Sequence, residues 1–130
     1  IMDIDYFKAI NDTHGHSVGD EVLRGFAQRL KANVRGIDLA CRYGGEEFVL
    51  IMPETDVVFA YTVAERLRQA VAELPFSVSC SEKGLPVTVS IGVTSIERPD
   101  DTADTILKRA DQALYRAKRD GRNRVVAEAA

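Results

Sequence analysis

The stretch Asp38-Leu39-Ala40-Cys41-Arg42-Tyr43-Gly44-Gly45-Glu46-Glu47-Phe48-Val49-Leu50-Ile51-Met52-Pro53 reads as two apolar strands joined through a glycine pair, a β-hairpin with two carboxylates opening its return strand. Glycines at a hairpin tip accept φ > 0 and let another molecule approach the main chain, which suits a turn that meets phosphate or metal. Consecutive acidic residues on a strand point to opposite faces, so one of Glu46 and Glu47 can face a ligand while the other anchors the turn. The pentapeptide is equally compatible with an ordinary hairpin whose glycines only reverse the chain and whose glutamates are solvated.

A second acidic element tips the balance. The chain opens Ile1-Met2-Asp3-Ile4-Asp5-Tyr6-Phe7-Lys8, an apolar strand running into Asp-x-Asp and then a lysine. Two carboxylate clusters therefore end neighbouring strands. Hard oxygen donors from separate strands, with a lysine beside them, are what Mg²⁺ and a nucleoside triphosphate require, because magnesium keeps much of its coordination for water and phosphate oxygens.

Outward from these strands, Ser17 with Asp20 three residues on has the form of an N-cap, and Val18, Val22, Phe26, Leu30 and Val34 follow at helical spacing. After the hairpin, Thr55 or Asp56 caps a second helix with Phe59, Val63, Leu67 and Val71 as its buried stripe. Glu65, Arg66, Arg68 and Glu73 lie outside it, and Leu74-Pro75 ends it. Strands are expected over 76–80 and 87–95 with a turn at 81–84 between them. Val87, Val89, Ile91 and Val93 alternate with Thr88, Ser90, Gly92 and Thr94, implying a sheet with one dominant apolar face. A third helix is predicted over 102–120, with Ile106, Ala110, Ala113, Leu114 and Ala117 inward and Gly121 at C′, before a last strand at 124–126. The order β-α-β-β-α-β-β-α-β defines an α+β fold: a mixed, mostly antiparallel central sheet flanked by helices, which are expected over one side.

With 130 residues, 45% of them hydrophobic, the chain forms one domain with a real core, and no stretch is apolar enough to span a membrane. A net charge of −3 and a pI near 5.4 argue against a non-specific polyanion binder, so no nucleic acid partner is expected. Any phosphate ligand is then held by a few placed cations and metal. Cys41 and Cys80 form no CxxC and no disulfide framework, which reads as reduced thiols in a cytoplasmic setting. No signal or transit peptide is visible. An apolar strand with a site residue at position 3 and no lead-in reads as a domain truncated at its N-terminus. Residues 81–84 and 97–101 read as ordinary loops.

Several of these residues together carry a resemblance. They are Asp3-Ile4-Asp5 with Phe7-Lys8, Ile10-Asn11-Asp12, Gly15-His16 and Gly19-Asp20; Arg35 through Asp38; Gly44-Gly45-Glu46-Glu47-Phe48; Val89-Ser90-Ile91-Gly92-Val93; and Lys108-Arg109-Ala110-Asp111 with Tyr115, Lys118 and Gly121-Arg122-Asn123. Over nearly all of its 130 residues the chain resembles the catalytic domain of the GGDEF family, the diguanylate cyclases, of response-regulator type. The resemblance implies a fold similar to nucleotidyl cyclase and polymerase palm domains. It also implies condensation of two GTP into cyclic di-GMP with release of two pyrophosphates. It further implies a Mg²⁺ cofactor with Mn²⁺ as an alternative, product feedback inhibition, and a homodimer of GTP-loaded domains. An upstream sensory or receiver domain is implied as partner, and the family's leading helix with its Asn-Arg-Arg motif is absent from these residues. The parent protein is compatible with tethering to a membrane through a missing N-terminal region.

Carried over residue by residue, the resemblance makes Asp3, the main-chain carbonyl of Ile4 and Glu46 the metal ligands. Glu46 would also be general base for the 3′-hydroxyl, and Lys8 would stabilise charge on the phosphates. Asn11 and Asp20 would meet the guanine edge, with His16 in the base pocket; Asp20 is also placed to cap a helix. Gly45 would pass its main chain beside the triphosphate, supported by Glu47. Lys118 and Arg122 would reach the terminal phosphates, or simply complement a helix dipole. Arg35 and Asp38, with a contact from Arg66, would form the inhibitory product site; the alternatives are an exposed ion pair and a solvated arginine. Rival readings are a GGDEF-like module that binds GTP or cyclic di-GMP without turnover, and a cyclase or palm relative using another triphosphate.

Overall fold

The central hairpin forms as read, β2 (Leu39–Arg42) pairing antiparallel with β3 (Glu47–Ile51) so that Cys41 faces Val49 and Ala40 faces Leu50. The structure, a computed structural model, describes residues 1–128; the last two residues of the expected 1–130 domain lie outside the described residues. On the other side of β3 runs β1 (Met2–Ile4), with Met2 opposite Phe48 and Asp3 opposite Glu47. The end of β1 and the start of β3 thus lie side by side, which juxtaposes the two acidic clusters. Next come β6 (Val89–Val93), antiparallel to β1, and β7 (Val125–Ala127), parallel to β6, giving the order β2-β3-β1-β6-β7. The mixed, mostly antiparallel sheet is the expected one.

The helices are α1 (Phe7–His14), α2 (His16–Ala32), α3 (Val57–Glu73) and α4 (Ala103–Arg119). They cover both faces of the sheet, not one. Met2, Ile4, Phe48, Val89 and Ile91 pack with Val22, Phe26, Leu67 and Val71 of α2 and α3 in the main core, where the Phe26 and Phe48 rings stand 4.8 Å apart. On the opposite face α4 lies on Gly92 so closely that a Cβ there would sit 2.2 Å from the Ala110 carbonyl oxygen. Consequently β6 is buried on both faces, and its Ser90 and Gly92 are interior residues, contrary to the one-sided reading of its alternation. Small residues let a central strand look amphipathic while a helix backbone covers its second face.

Other departures have local causes. Helix α1 is additional: it starts from Tyr6 in the left-handed region (φ 57) and ends at Gly15 (φ 89), which separates it from α2. Ser17 and Asp20 therefore lie inside α2, whose N-cap is Gly15, and Asp20 caps nothing. Asp56 caps α3, its carboxylate accepting from the Phe59 N–H at 2.8 Å, but Phe59 itself is 48% exposed; Ala60 and Ala64 complete the buried stripe instead. Residues 81–84, read as a turn, belong to β5 (Ser81–Leu85), which pairs with β4 (Phe76–Val78) as a separate two-stranded ribbon. The C-terminus of α3 is closed by Arg29 of α2, which donates to the carbonyls of Ala70, Val71, Leu74 and Pro75 while stacking 3.7 Å from the Phe76 ring centre. Gly121 ends α4 as expected, with φ 125 and the Arg122 N–H bonded to Ala117 O at 2.9 Å. Among the described residues no helix is long and apolar enough to cross a membrane, and both cysteines are free and exposed.

Candidate active site

An open cavity of about 440 Å³ lies where β1 ends, bounded by Asp3 and Ile4 of β1, Lys8 of α1, Glu46 before β3, Lys118 of α4 and Arg122 beyond it. Six of the expected site residues are thereby brought together from five separate segments. The convergence follows from pairing: the Ile4 N–H donates to Glu46 O at 3.2 Å, and Asp3 stands opposite Glu47. A larger cavity of about 720 Å³, walled by apolar side chains such as Val49, Ile51, Leu67 and Ile106, opens at the far end of the sheet. It takes none of the expected catalytic residues, and an apolar wall does not hold a triphosphate.

Asp3 is 5% exposed, and its carboxylate accepts a hydrogen bond from Lys118 Nζ at 2.6 Å. Burial pushes its pKa above the ordinary value of 3.8; Lys118 pulls the other way, and the neighbouring charges of Glu46 and Glu47 push up again. At Asp3 itself, negative charge is thus concentrated and relieved directly by the Lys118 ammonium. Lys118, expected on the terminal phosphates, here neutralises a carboxylate.

The turn departs from its reading in one respect. Neither Gly44 nor Gly45 takes positive φ, and a Cβ on Gly45 would meet nothing within 4 Å. No protein atom demands a glycine at 45, so any demand comes from outside the chain. What shapes the turn is Arg42, whose guanidinium donates to Gly44 O at 3.1 Å and to Gly45 O at 3.1 and 2.7 Å. Glu47 contributes its main chain, accepting from Tyr43 N at 2.7 Å and Gly44 N at 3.2 Å. Sequence reasoning passed over Arg42, whose partners are main-chain carbonyls.

Asn11, His16 and Asp20 lie on α1 and α2 outside the lining of this cavity. His16 and Asp20 are exposed. Asn11 is tucked against Gly19, where a Cβ would fall 1.8 Å from its Oδ1, and that Oδ1 is buried without a hydrogen-bond partner among the described residues. An orphaned buried acceptor asks for a donor. Asp5 was also passed over as a functional residue. It is 5% exposed and accepts from Thr88 Oγ1 at 2.7 Å, Ser90 Oγ at 2.6 Å and Asn123 N at 3.0 Å.

A second cluster sits at the other end of the β2–β3 hairpin. Arg35 engages Asp38 through Nη2 at 2.8 Å and Nε at 3.2 Å, and Thr55 Oγ1 at 2.7 Å. This pairing holds the Asp38 carboxyl below the usual range. The Arg35 guanidinium also lies 5.4 Å from the Phe59 ring centre. Arg35 and Asp38 are bonded to each other at the α2–β2 junction, and Arg66 reaches that junction from α3, donating to Asn33 O at 2.7 Å.

The acidic end of the central strand thus shares one cavity with two lysines and an arginine. Residues 1–124 match the family described as diguanylate cyclase, GGDEF domain. The chain is 56% identical over 130 residues to the response regulator PleD of Caulobacter vibrioides, covering 100% of this chain and 29% of that protein. It is 47% identical over 125 residues to diguanylate cyclase A of Treponema denticola, covering 96% of this chain and 33% of that protein. The crystal structure of the GGDEF domain of DgcB from Caulobacter crescentus in complex with c-di-GMP superposes with a TM-score of 0.91 at 38% identity, covering 97% of this chain and 74% of that one. The chain belongs to the GGDEF family of diguanylate cyclase domains. It spans about a third or less of the length of these two curated relatives.

Proposed function

We propose that this domain condenses two GTP into cyclic di-GMP with release of two pyrophosphates, in the cytoplasm and under the control of further domains of its parent protein. The observation that carries the reading is the cavity that gathers Asp3, Ile4, Lys8, Glu46, Lys118 and Arg122. Three cations converge on it in a chain of net charge −3, which fits a triphosphate held by a few placed groups.

The donor set fits a hard divalent cation. Asp3 and Glu46 with the Ile4 carbonyl supply three oxygens, leaving positions for water and phosphate, and the buried charge at Asp3 calls for a cation. Among the described residues no group of three His, Cys, Asp or Glu side chains forms a metal cluster. Mg²⁺ or Mn²⁺ bound there would polarise the phosphoryl oxygens and lower the pKa of the attacking hydroxyl.

Lys8, Lys118 and Arg122 bind the phosphate chain and draw off the charge that develops as pyrophosphate leaves. Lys118 exchanges Asp3 for a phosphate oxygen when substrate arrives. Glu46 accepts the proton of the 3′-hydroxyl as that oxygen bonds to the α-phosphorus and the α–β bridge breaks. The Asp20 carboxylate accepts from the donor edge of guanine and the Asn11 amide meets its remaining donor or acceptor, beside His16, and Gly45 admits the triphosphate to the turn. Each 3′-hydroxyl attacks the other nucleotide, so two loaded copies meet across a two-fold axis. Arg35, Asp38 and Arg66 bind the product and inhibit.

The test is incubation of the full-length protein with Mg²⁺ and each nucleoside triphosphate in turn, assaying pyrophosphate and cyclic dinucleotide. Product from GTP alone is expected. GTP binding without pyrophosphate release makes the domain a sensor, and product from another triphosphate overturns the base assignment.

A further inference from the structure

Gly121, Arg122 and Asn123 have φ values of 125, 65 and 46, three consecutive residues in the left-handed region, two of them with side chains. Gly121 is explained by the end of α4. The other two are not: arginine seldom adopts this conformation, and although asparagine does so more readily, the pair persists where its surroundings fix it. What holds them is Asp5, whose Oδ2 takes the Asn123 N–H at 3.0 Å, while the Ser90 hydroxyl on β6 and the Thr88 hydroxyl just before it fix the carboxylate. Arg124 Nε then closes on Arg122 O at 3.1 Å, and Asn123 Oδ1 takes Arg68 Nη1 at 3.0 Å.

The residue after Asp5 is strained too. Tyr6 has φ 57 and leaves 63% of its surface exposed, so burial of its ring does not explain it. Its ring centre lies 4.6 Å from the guanidinium carbon of Arg122. Two adjacent residues at the end of β1 thus serve one cation: Asp5 straps the main chain of its turn, and Tyr6 supplies a face for its guanidinium. Stacked there, Arg122 makes no hydrogen bond or ion pair to another side chain among the described residues. Its in-plane N–H groups stay available to an anion in the cavity that it lines with Tyr6.

We infer that Tyr6 and Asp5 are positioning residues that hold Arg122 ready for the phosphate chain of the nucleotide, an inference that rests on the triphosphate reading of the cavity. They touch no reacting atom and act through Arg122. The guanosine part of the ligand gains nothing from them.

The experiment is calorimetric titration of the full-length protein and its variants with Mg²⁺ and a non-hydrolysable GTP analogue, and separately with GMP. Tyr6→Leu, which keeps bulk but loses the ring face, is expected to weaken the analogue roughly two- to five-fold, the value of an exposed cation–π contact. GMP affinity stays unchanged, Tyr6→Phe binds as wild type, and Tyr6→Leu adds nothing in an Arg122→Ala background. Asn123→Gly, which accepts φ 46 and keeps the N–H, also binds as wild type. Asn123→Val, which resists that φ, falls to the level of Arg122→Ala. Equal losses for analogue and GMP, additivity of Tyr6→Leu with Arg122→Ala, or normal binding by Asn123→Val would overturn the inference. Wild-type protein that binds neither ligand removes the triphosphate reading itself, whereas normal analogue binding by every variant removes only the positioning role.

Discussion

Replacing Lys118 by methionine isolates the charge balance on which the cavity depends. The Lys118–Asp3 pair is 2.6 Å long, with side chains 33% and 7% exposed. At an effective dielectric near 20 its gross attraction is about 6 kcal/mol, most of which offsets the desolvation of Asp3. Removing one partner of a buried pair costs about 3–5 kcal/mol; screening of the partly exposed lysine brings the expected loss to about 2 kcal/mol. For a domain of this size that is a fall in Tm of roughly 6–8 °C.

The sign of its pH dependence follows from Asp3. Its folded pKa is raised, chiefly by burial, so its contribution to stability is largest below the unfolded value of 3.8 and declines as pH rises through the folded pKa. Lys118 limits that decline by favouring the ionised form, and its loss raises the pKa further. Wild type and Lys118→Met should therefore be nearly equal in stability where Asp3 is protonated in both, below 3.8. The gap should open as pH rises and level off once Asp3 is ionised in both proteins. Urea denaturation of the two proteins from acid to neutral pH measures it. A gap of constant size across that range, or one that closes toward neutrality, would refute the assignment of the penalty to Asp3; in an Asp3→Asn background, Lys118→Met should open no pH-dependent gap.

Gly92→Ala should cost roughly 3 kcal/mol by urea denaturation, since its Cβ would meet Ala110 O at 2.2 Å and Leu114 N at 2.4 Å, main-chain atoms of α4 that cannot swing aside. Arg29→Met should cost about 2–3 kcal/mol by the same measurement, because it uncaps α3 and leaves carbonyls at its end without their charged donor. Gly45→Val should change stability by less than about 0.5 kcal/mol, as its side chain meets no protein atom, yet abolish product formation; undiminished turnover would show that the turn does not approach GTP. Arg35→Ala should leave initial turnover intact and shift the inhibition curve for cyclic di-GMP to higher concentration, and an unmoved curve would dissociate the α2–β2 junction from product control.

The parts of the fold legible in sequence were those where periodicity and turn chemistry agree. The Gly-Gly hairpin and the Gly121 stop stand where they were read, and of the two caps read for α3, Thr55 or Asp56, it is Asp56 that forms. Helix α1 was hidden because its start is set by Tyr6 in a left-handed conformation that no sequence rule assigns to tyrosine. The second buried face of β6 was hidden because Ser90 and Gly92 read as solvent-facing, when one hydroxyl is spent on buried Asp5 and the missing side chain makes room for α4. In the site, acidic residues at strand ends could be placed by register alone. Arg42 on the turn and Asp5 beneath Arg122 could not, since Arg42 bonds only main-chain carbonyls of the turn and the partners of Asp5 lie more than eighty positions away.

The placement of the three cations separates a structural origin from a ligand-directed one. Lys118 and Arg122, in the last turn of α4 and just beyond it, sit where a helix dipole favours positive charge, so their presence is compatible with either origin. Lys8 is different. It occupies the first turn of α1, which has no acidic residue and whose N-cap, Tyr6, offers no side-chain acceptor. A lysine there opposes the dipole and leaves first-turn N–H groups without a side-chain partner, an arrangement that destabilises an isolated eight-residue helix. An anion in the cavity reverses both effects, since it accepts from the N–H groups and pairs with the ammonium. In the proposed reading a bound triphosphate accounts for Lys8 and the uncapped end of α1 together, and the same ligand would draw Lys118 away from Asp3.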